Sequence, residues 1–289
     1  MSNILITGAS SGFGLLTVQK TIKAGHTPIA AMRDSEGRNR ETAESIRGLG
    51  GHVVDIDVTN EASVALGVAA AIEISGSIDV LVNNAGTGVL GIQDAFTVDD
   101  IQRVFDVNVY GVHRMQRAIT PHFIQRQAGL IINISSTLGR ITFPFFGPYN
   151  ASKWAMEALS ENSRAELSAF GIEVAIIEPG GYPTQFLDRV DHPSDQERLK
   201  IYGDLVGAPA ATQQGFEQAF AANPEQAPEN VAQAILAVID TPAGRRPFRT
   251  VVDKLGMAEP ISEYNEKLGQ ITEGIYAAFG VAHMLKVNA

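Results

Sequence analysis

"NILITGASSGFG", residues 3–14, decides the fold. Residues 3–8 are a short apolar run ending in Gly, which suits a strand buried on both faces of a parallel sheet. The turn that follows places Gly8, Gly12 and Gly14 ahead of a helical pattern carried by Leu15, Leu16, Val18 and Ile22, which Gly25 ends. Glycine permits a tight turn and lets a phosphate approach the backbone. The helix N-terminus beyond it supplies N–H donors and the positive end of a dipole. Many βα turns need glycine for the turn alone, so this feature acquires meaning only from its surroundings. No Gly-Lys-Ser/Thr follows, which excludes a Walker loop.

Outward from that turn, the chain repeats the pattern. Strands are predicted over 27–32, 52–58, 78–86, 129–135, 172–180 and 248–253, and long helices over about 99–127 and 149–169. Strands alternating with helices imply βαβ units, hence an α/β fold with a doubly wound parallel sheet, a Rossmann fold, covered on both faces. No linker precedes residue 184 and no repeat is visible, so residues 1–289 are expected to form one domain. Residues 185–230 are polar or small without strand pattern, and they follow the sixth strand on the side where ligands bind. They are expected to form a mobile substrate lid, and residues 257–289 a C-terminal helical extension.

Composition narrows the classes. Of 289 residues, 45% are hydrophobic and 19% charged, which permits a sizeable core and argues against disorder. The net charge of −10 repels phosphate backbones and argues against nucleic acid as partner. Without cysteine there is neither a disulfide framework nor thiolate chemistry. The first residues lack the marks of a signal peptide, and no run of eighteen apolar residues exists, so a soluble cytoplasmic protein without membrane association is expected. Six His residues show no metal-ligand spacing, and no metal is expected. "GRRPFR", 244–249, reads as a solvated turn.

The chemistry is expected in "SSTLGRITFPFFGPYNASK", 135–153. Pro148 favours a helix start, so Tyr149 and Lys153, four apart, share a helix face. A nearby cation lowers a phenol's pKa toward neutrality, and such a phenol exchanges protons at working pH. Ser136 follows the fifth strand, whose carboxyl end faces the ligand crevice, where its hydroxyl can polarise a carbonyl. Taken alone, the Tyr and Lys could equally be a surface pair on a helix, and the Ser a loop residue.

Five motifs in order remove that ambiguity: TGASSGFG at 7–14, NNAG at 83–86, Asn108 in DVNVYG, Ser136 with YNASK at 149–153, and PG at 179–180. Over residues 3–184 the chain resembles the short-chain dehydrogenase/reductase family, of the compact single-domain type. The resemblance implies hydride transfer between a nicotinamide cofactor and an alcohol or carbonyl carbon. It implies Tyr149 as general acid or base and Lys153 as the group that tunes it and holds the nicotinamide ribose. Ser136 would bond the substrate oxygen, and Asn108 would hold a water linking Lys153 to solvent. Cofactor contacts are implied at Gly8, Ser10, Ser11, Gly12, Phe13, Gly14, Asp57, Val58, Asn84, Ala85, Gly86, Pro179, Gly180 and Thr184. Asp57 has a second reading, as part of a helix-cap region with Thr59 or Asn60 as the cap. The 83–86 turn could likewise merely brace the sheet. Pairing of the two long helices between subunits, common in the family, implies a homodimer or homotetramer.

NAD-preferring relatives usually end the second strand with Asp or Glu. Here Met32 and Arg33 stand there, so NADP(H) is expected as the preferred cofactor with NAD(H) also possible, although Asp34 is adjacent. Leu138, Phe143, Phe146, Tyr182 and Phe186, with Val89 and Leu90, predict a small apolar or aromatic carbonyl compound or its alcohol as substrate, though large apolar residues also serve cores and interfaces. Arg140 is the one nearby cation that could take an acidic substrate. Two other classes stay open: a cofactor-binding sensor without turnover, and a lyase, dehalogenase or epimerase. Intact Tyr149 and Lys153 disfavour the first, and the intact Gly turn disfavours a dehalogenase.

Overall fold

The computed structural model describes residues 1–287, so Asn288 and Ala289 of the expected C-terminal extension lie outside the described residues. Seven strands form one sheet: β1 (Asn3–Thr7), β2 (Thr27–Met32), β3 (His52–Asp55), β4 (Val80–Asn83), β5 (Gly129–Ile134), β6 (Ile172–Pro179) and β7 (Arg249–Val252). All pairings are parallel, in the order β3-β2-β1-β4-β5-β6-β7. The α/β doubly wound sheet expected from the alternating pattern is therefore present.

Side-chain alternation along β1 feeds two cores. Ile4 and Ile6 face one side with Val18, Val231 and Ile235. Leu5 faces the other with Met115, Ile119 and Phe123. Successive residues of a strand point to opposite faces, so an apolar run without alternation needs helices on both. On the first side lie α1 (Gly12–Lys23), α2 (Arg40–Gly48), and a helix that the sequence pattern did not single out, Glu229–Asp240. On the second lie α3 (Glu61–Ser75) and a long rod made of α4 (Val98–Phe105), a π-helical segment Asp106–Gly111 and α5 (Val112–Arg126). The single helix expected over 99–127 is thus three segments. α6 (Gly147–Leu167) follows β5 and packs along the rod.

The order in which strands are added reverses between β1 and β4, and the crevice outside their carboxyl ends is where open α/β sheets bind ligands. Over that crevice lies the 185–230 region, which is largely helical: α7 (Gln196–Leu199), a 3₁₀ stretch Lys200–Gly207 and α8 (Ala208–Ala222). The helix over Glu229–Asp240, α9, packs on α1 and belongs to the core. α10 (Ala258–Ala278) and a short 3₁₀ turn, Ala282–Leu285, close the described chain beside β7 and α6. Among the described residues no helix is long and apolar enough to cross a membrane.

Candidate active site

The Gly-rich turn and the end of β4 are built against each other. Gly8 takes φ +65°, and a Cβ there would stand 2.8 Å from the Ala85 Cα. A Cβ on Gly14 would meet the Gly8 carbonyl oxygen at 2.4 Å, so only glycine lets α1 start this close to the strand. The Thr7 hydroxyl accepts from the N–H groups of Asn84 and Ala85, each at 3.0 Å. Asn84 Nδ2 donates to the carbonyls of Thr7 at 2.9 Å and Gly8 at 3.2 Å. The 83–86 turn therefore braces the sheet. Ser10, Ser11, Gly12 and Phe13 are half-buried around the start of α1. Ser11 is its N-cap, yet its side chain makes no capping bond. Phe13 meets the Tyr182 ring edge-on at 5.5 Å.

At the end of β2, Arg33 is exposed, as is Arg38 five residues on. Asp34 has φ 54° and turns its carboxylate back into its own loop, accepting from the Arg38 N–H at 3.0 Å. Asp57 accepts from the Thr59 N–H and hydroxyl at 3.0 and 2.7 Å. Burial alone would raise its carboxyl. The Thr59 bonds, with the guanidinium groups of Arg33 and Arg38, hold it below the usual range. The cap of α3 is Asn60, which accepts from the Ser63 N–H. Val58 wedges against Gly111 in the π segment, and its carbonyl accepts from Arg114.

Ser136, Tyr149 and Lys153 converge at the carboxyl end of β5. Ser136 caps a single 3₁₀ turn, its Oγ accepting the Leu138 N–H at 3.1 Å. Pro148 lies in the first turn of α6, directly before Tyr149. The Lys153 Nζ donates to the Ile134 carbonyl at 2.8 Å and lies 5.7 Å from the Tyr149 ring centroid. Burial pushes the Tyr149 phenol up to about 12, opposed by a hydrogen bond with Ser136. Burial also draws Lys153 down to about 8, opposed by the Glu157 carboxylate. Burial of both groups thus works against the expected lowering of the phenol by the Lys. Asn108, on the π segment, is buried; it accepts from the Thr87 N–H at 2.9 Å and donates to the Thr87 carbonyl and Ser152 Oγ at 2.8 and 3.0 Å. A Cβ on Gly86 would lie 3.4 Å from Asn108 Oδ1 and 3.8 Å from Lys153 Nζ, so that glycine opens onto the same groups.

A family model described as short chain dehydrogenase matches residues 2–195. The chain belongs to the short-chain dehydrogenase family. The chain is 38% identical over 185 residues to a 3-ketodihydrosphingosine reductase of Bacteroides thetaiotaomicron, covering 64% of this chain and 65% of that one. The chain thus spans slightly less than two thirds of that relative's length. Retinol dehydrogenase 8 of Homo sapiens is 34% identical over 82% of this chain and 78% of that one. A solved short-chain dehydrogenase/reductase from Burkholderia phymatum in complex with NAD is 29% identical, with a TM-score of 0.73, over 86% of this chain and 88% of that one.

The loop after β6 is held from below. A Cβ on Gly180, next to Pro179, would lie 2.1 Å from Asp253 Oδ1, and Gln226 bridges Asp253 Oδ1 at 3.2 Å to the Gly181 carbonyl at 2.5 Å. No local motif marks either Asp253 or Gln226. Thr184 is half-buried and accepts the Phe186 N–H at 3.3 Å.

The apolar residues divide. Phe186 lies 5.6 Å from the Tyr149 ring, and Phe146, Leu138, Val89 and Leu90 share its cluster. Phe143 is partly exposed and meets Phe146 at 6.4 Å. Tyr182 turns away: it sits in the core with α1 and α9, and its hydroxyl donates to the Val252 carbonyl at 3.2 Å. Phe216, on α8, is absent from the sequence expectation, yet it meets Phe143 at 5.4 Å and Phe146 at 6.0 Å. The i,i+4 pair Phe216 and Phe220 within a polar stretch is its available signal.

Arg140 is not free for an acidic substrate. Its buried guanidinium pairs with Glu157 at 2.9 Å, Glu178 at 3.1 Å and Glu161 at 3.3 Å. Nor is the 244–249 run merely a solvated turn: Arg246 pairs with Glu173, and Arg249 joins the Arg140 cluster through Glu157, at 3.1 Å, and Glu161. Sequence distance hides both. Among the described residues no group of three His, Cys, Asp or Glu could hold a metal ion.

Proposed function

We propose that this protein is an NADP(H)-dependent oxidoreductase that interconverts an alcohol and a ketone or aldehyde on an apolar small molecule. The observation that carries the reading is the convergence of Ser136, Tyr149 and Lys153 beneath an aromatic wall formed by Phe186, Phe146 and Phe216. The crevice fits a dinucleotide, because Gly8 and Gly14 leave no room for side chains and α1 begins without a side-chain cap. Arg33, with Arg38 beside it, suits a 2′-phosphate in charge and fork geometry. When bound, the nicotinamide ring would donate or accept a hydride.

The protein groups would act on the substrate oxygen. In reduction the Tyr149 phenol, protonated at neutral pH since burial holds it near 12, donates its proton to that oxygen. Ser136 donates a second hydrogen bond and fixes the oxygen's position. Lys153 supplies a cation beside the phenol, steadying the phenolate left behind, and would bond the nicotinamide ribose. Asn108 holds the loop after β4, at Thr87, and Ser152 in register with that helix face. Phe186 covers the ring and keeps water out. Two relatives are named for retinol and for a sphingoid ketone, which favours an apolar substrate. A homodimer or homotetramer formed through α5 and α6 completes the reading.

The test is turnover of NADPH and NADH with matched aromatic ketones, aliphatic aldehydes, sugars and keto acids. Apolar carbonyls should lead, and Tyr149→Phe should lose about 10²–10⁴ in rate while still binding cofactor. A sugar or keto acid favoured tenfold, or turnover by Tyr149→Phe within a few-fold of wild type, would overturn it.

A further inference from the structure

We propose that Arg189, at the foot of the segment over the crevice, is a dinucleotide-binding residue that takes the diphosphate bridge at the Gly-rich turn. This inference rests on the cofactor reading above and adds a contact from a part of the chain outside the five motifs.

Arg189 ends a 3₁₀ turn, Leu187–Arg189, and is exposed. Its Nη1 reaches across the crevice to Ser11 Oγ at 3.4 Å, and its Nη2 donates to Gln185 Oε1 at 2.5 Å. Ser11 is the residue at which α1 begins, and its hydroxyl spends no bond on capping the helix. A guanidinium and a set of helix N–H donors therefore border the same small space, and both are anion-seeking. The chain carries 32 acidic against 22 basic residues, yet among the described residues Arg189 forms no ion pair. An arginine that reaches the Gly-rich turn without a carboxylate partner among the described residues is placed to take an anion there.

The placement is not that of a free side chain. Phe186, three residues earlier, packs on Tyr149, and a Cβ on Gly88 would lie 2.4 Å from its ring. Val190, the next residue, is buried. Asp191 then bonds both ways with the strand-end loop: its N–H donates to the Gly88 carbonyl and its carbonyl accepts from the Leu90 N–H, each at 2.9 Å. Two anchors thus bracket Arg189 and hold it over the turn. Its planar fork matches two phosphate oxygens, which a lysine could not engage in the same way. Diphosphate capture by Arg189 would tie this already seated segment to the bound cofactor and hold Phe186 more firmly over Tyr149.

The experiment compares wild type with Arg189→Gln, an exposed substitution that leaves the core untouched. Dissociation constants are measured by equilibrium titration for NADPH, ADP and adenosine, and limited proteolysis across 185–222 is run with and without NADPH. The expected result is about tenfold or greater weakening for NADPH and ADP, from loss of a charged hydrogen-bond pair. Adenosine should change less than twofold, and NADPH should protect the segment in wild type only. If wild type binds NADPH and the variant binds it within twofold with the same protection, this proposal falls and the cofactor reading stands. If wild type binds no dinucleotide, both fall.

Discussion

In the proposed reading, the choice between the two dinucleotides rests on Arg33 and Arg38. Both are exposed and both bear on Asp57, so they border the place where the second strand ends and an adenosine ribose would lie. A 2′-phosphate there gains charged hydrogen bonds, each about 1.5–3 kcal/mol, that a free hydroxyl does not. Arg33→Ala and Arg38→Ala are each expected to lower the ratio of kcat/KM for NADPH over NADH by about tenfold. An unchanged ratio in both variants, or wild-type preference for NADH, refutes the assignment. Single residues are legible in the sequence where the chemistry is local. Tyr149 and Lys153 share a face because they lie four apart, and Gly8 and Gly14 follow a strand directly. Tyr182 defies the expectation because its neighbours in sequence, on the loop after β6, do not say which side of that loop its ring takes. Arg140 defies it because its carboxylates come from α6 and β6, and no local pattern announces them.

At the scale of elements, α6, β6, β7 and α10 share one buried charge cluster behind Lys153. Glu157, Glu161 and Glu178 pair with the guanidinium groups of Arg140 and Arg249, and Asn265 of α10 donates to Glu178 at 2.5 Å. Burial and the nearby Glu157 push Glu178 up from 4.5 to about 7, against the pull of Arg140. A carboxyl whose folded pKa lies above its unfolded one contributes stability that is complete below pH 4.5 and is lost as pH rises through 7. Thermal unfolding of wild type and Glu178→Gln from pH 4 to 8 should therefore diverge. Wild type should lose roughly 2–3 kcal/mol relative to the variant across that window. Parallel curves would show that Glu178 has the same pKa folded and unfolded, and would refute the upward shift. The strands and the Pro-led start of α6 can be read from apolar runs and turn residues. The division of the 98–126 rod cannot, since α and π turns share the same residue types.

For the whole molecule, the proposed assembly would use the outer faces of the π segment and α6. Tyr110, Trp154 and Leu159 are 52%, 39% and 45% exposed there, and apolar side chains left open to water can serve as an interface. Light scattering at micromolar concentration should give at least twice the chain mass, and Trp154→Glu should halve it. A wild-type monomer would exclude pairing through these helices. The overall architecture is legible because alternation of strands and helices is a global pattern, whereas the two Phe residues of α8 lie in a stretch of small and polar residues that hides them. The π segment, finally, separates what the site needs from what the core needs. One turn there holds an additional residue, whereas each residue of an α-helix advances the side chains by about 100°. Removing one of residues 106–111 would let that turn close as ordinary α-helix with everything beyond it still in phase. Met115, Ile119 and Phe123 would keep facing the sheet, while Asn108 would lose its place against Thr87 and Ser152. The additional residue therefore serves the site, and a deletion there would spare the fold while displacing Asn108.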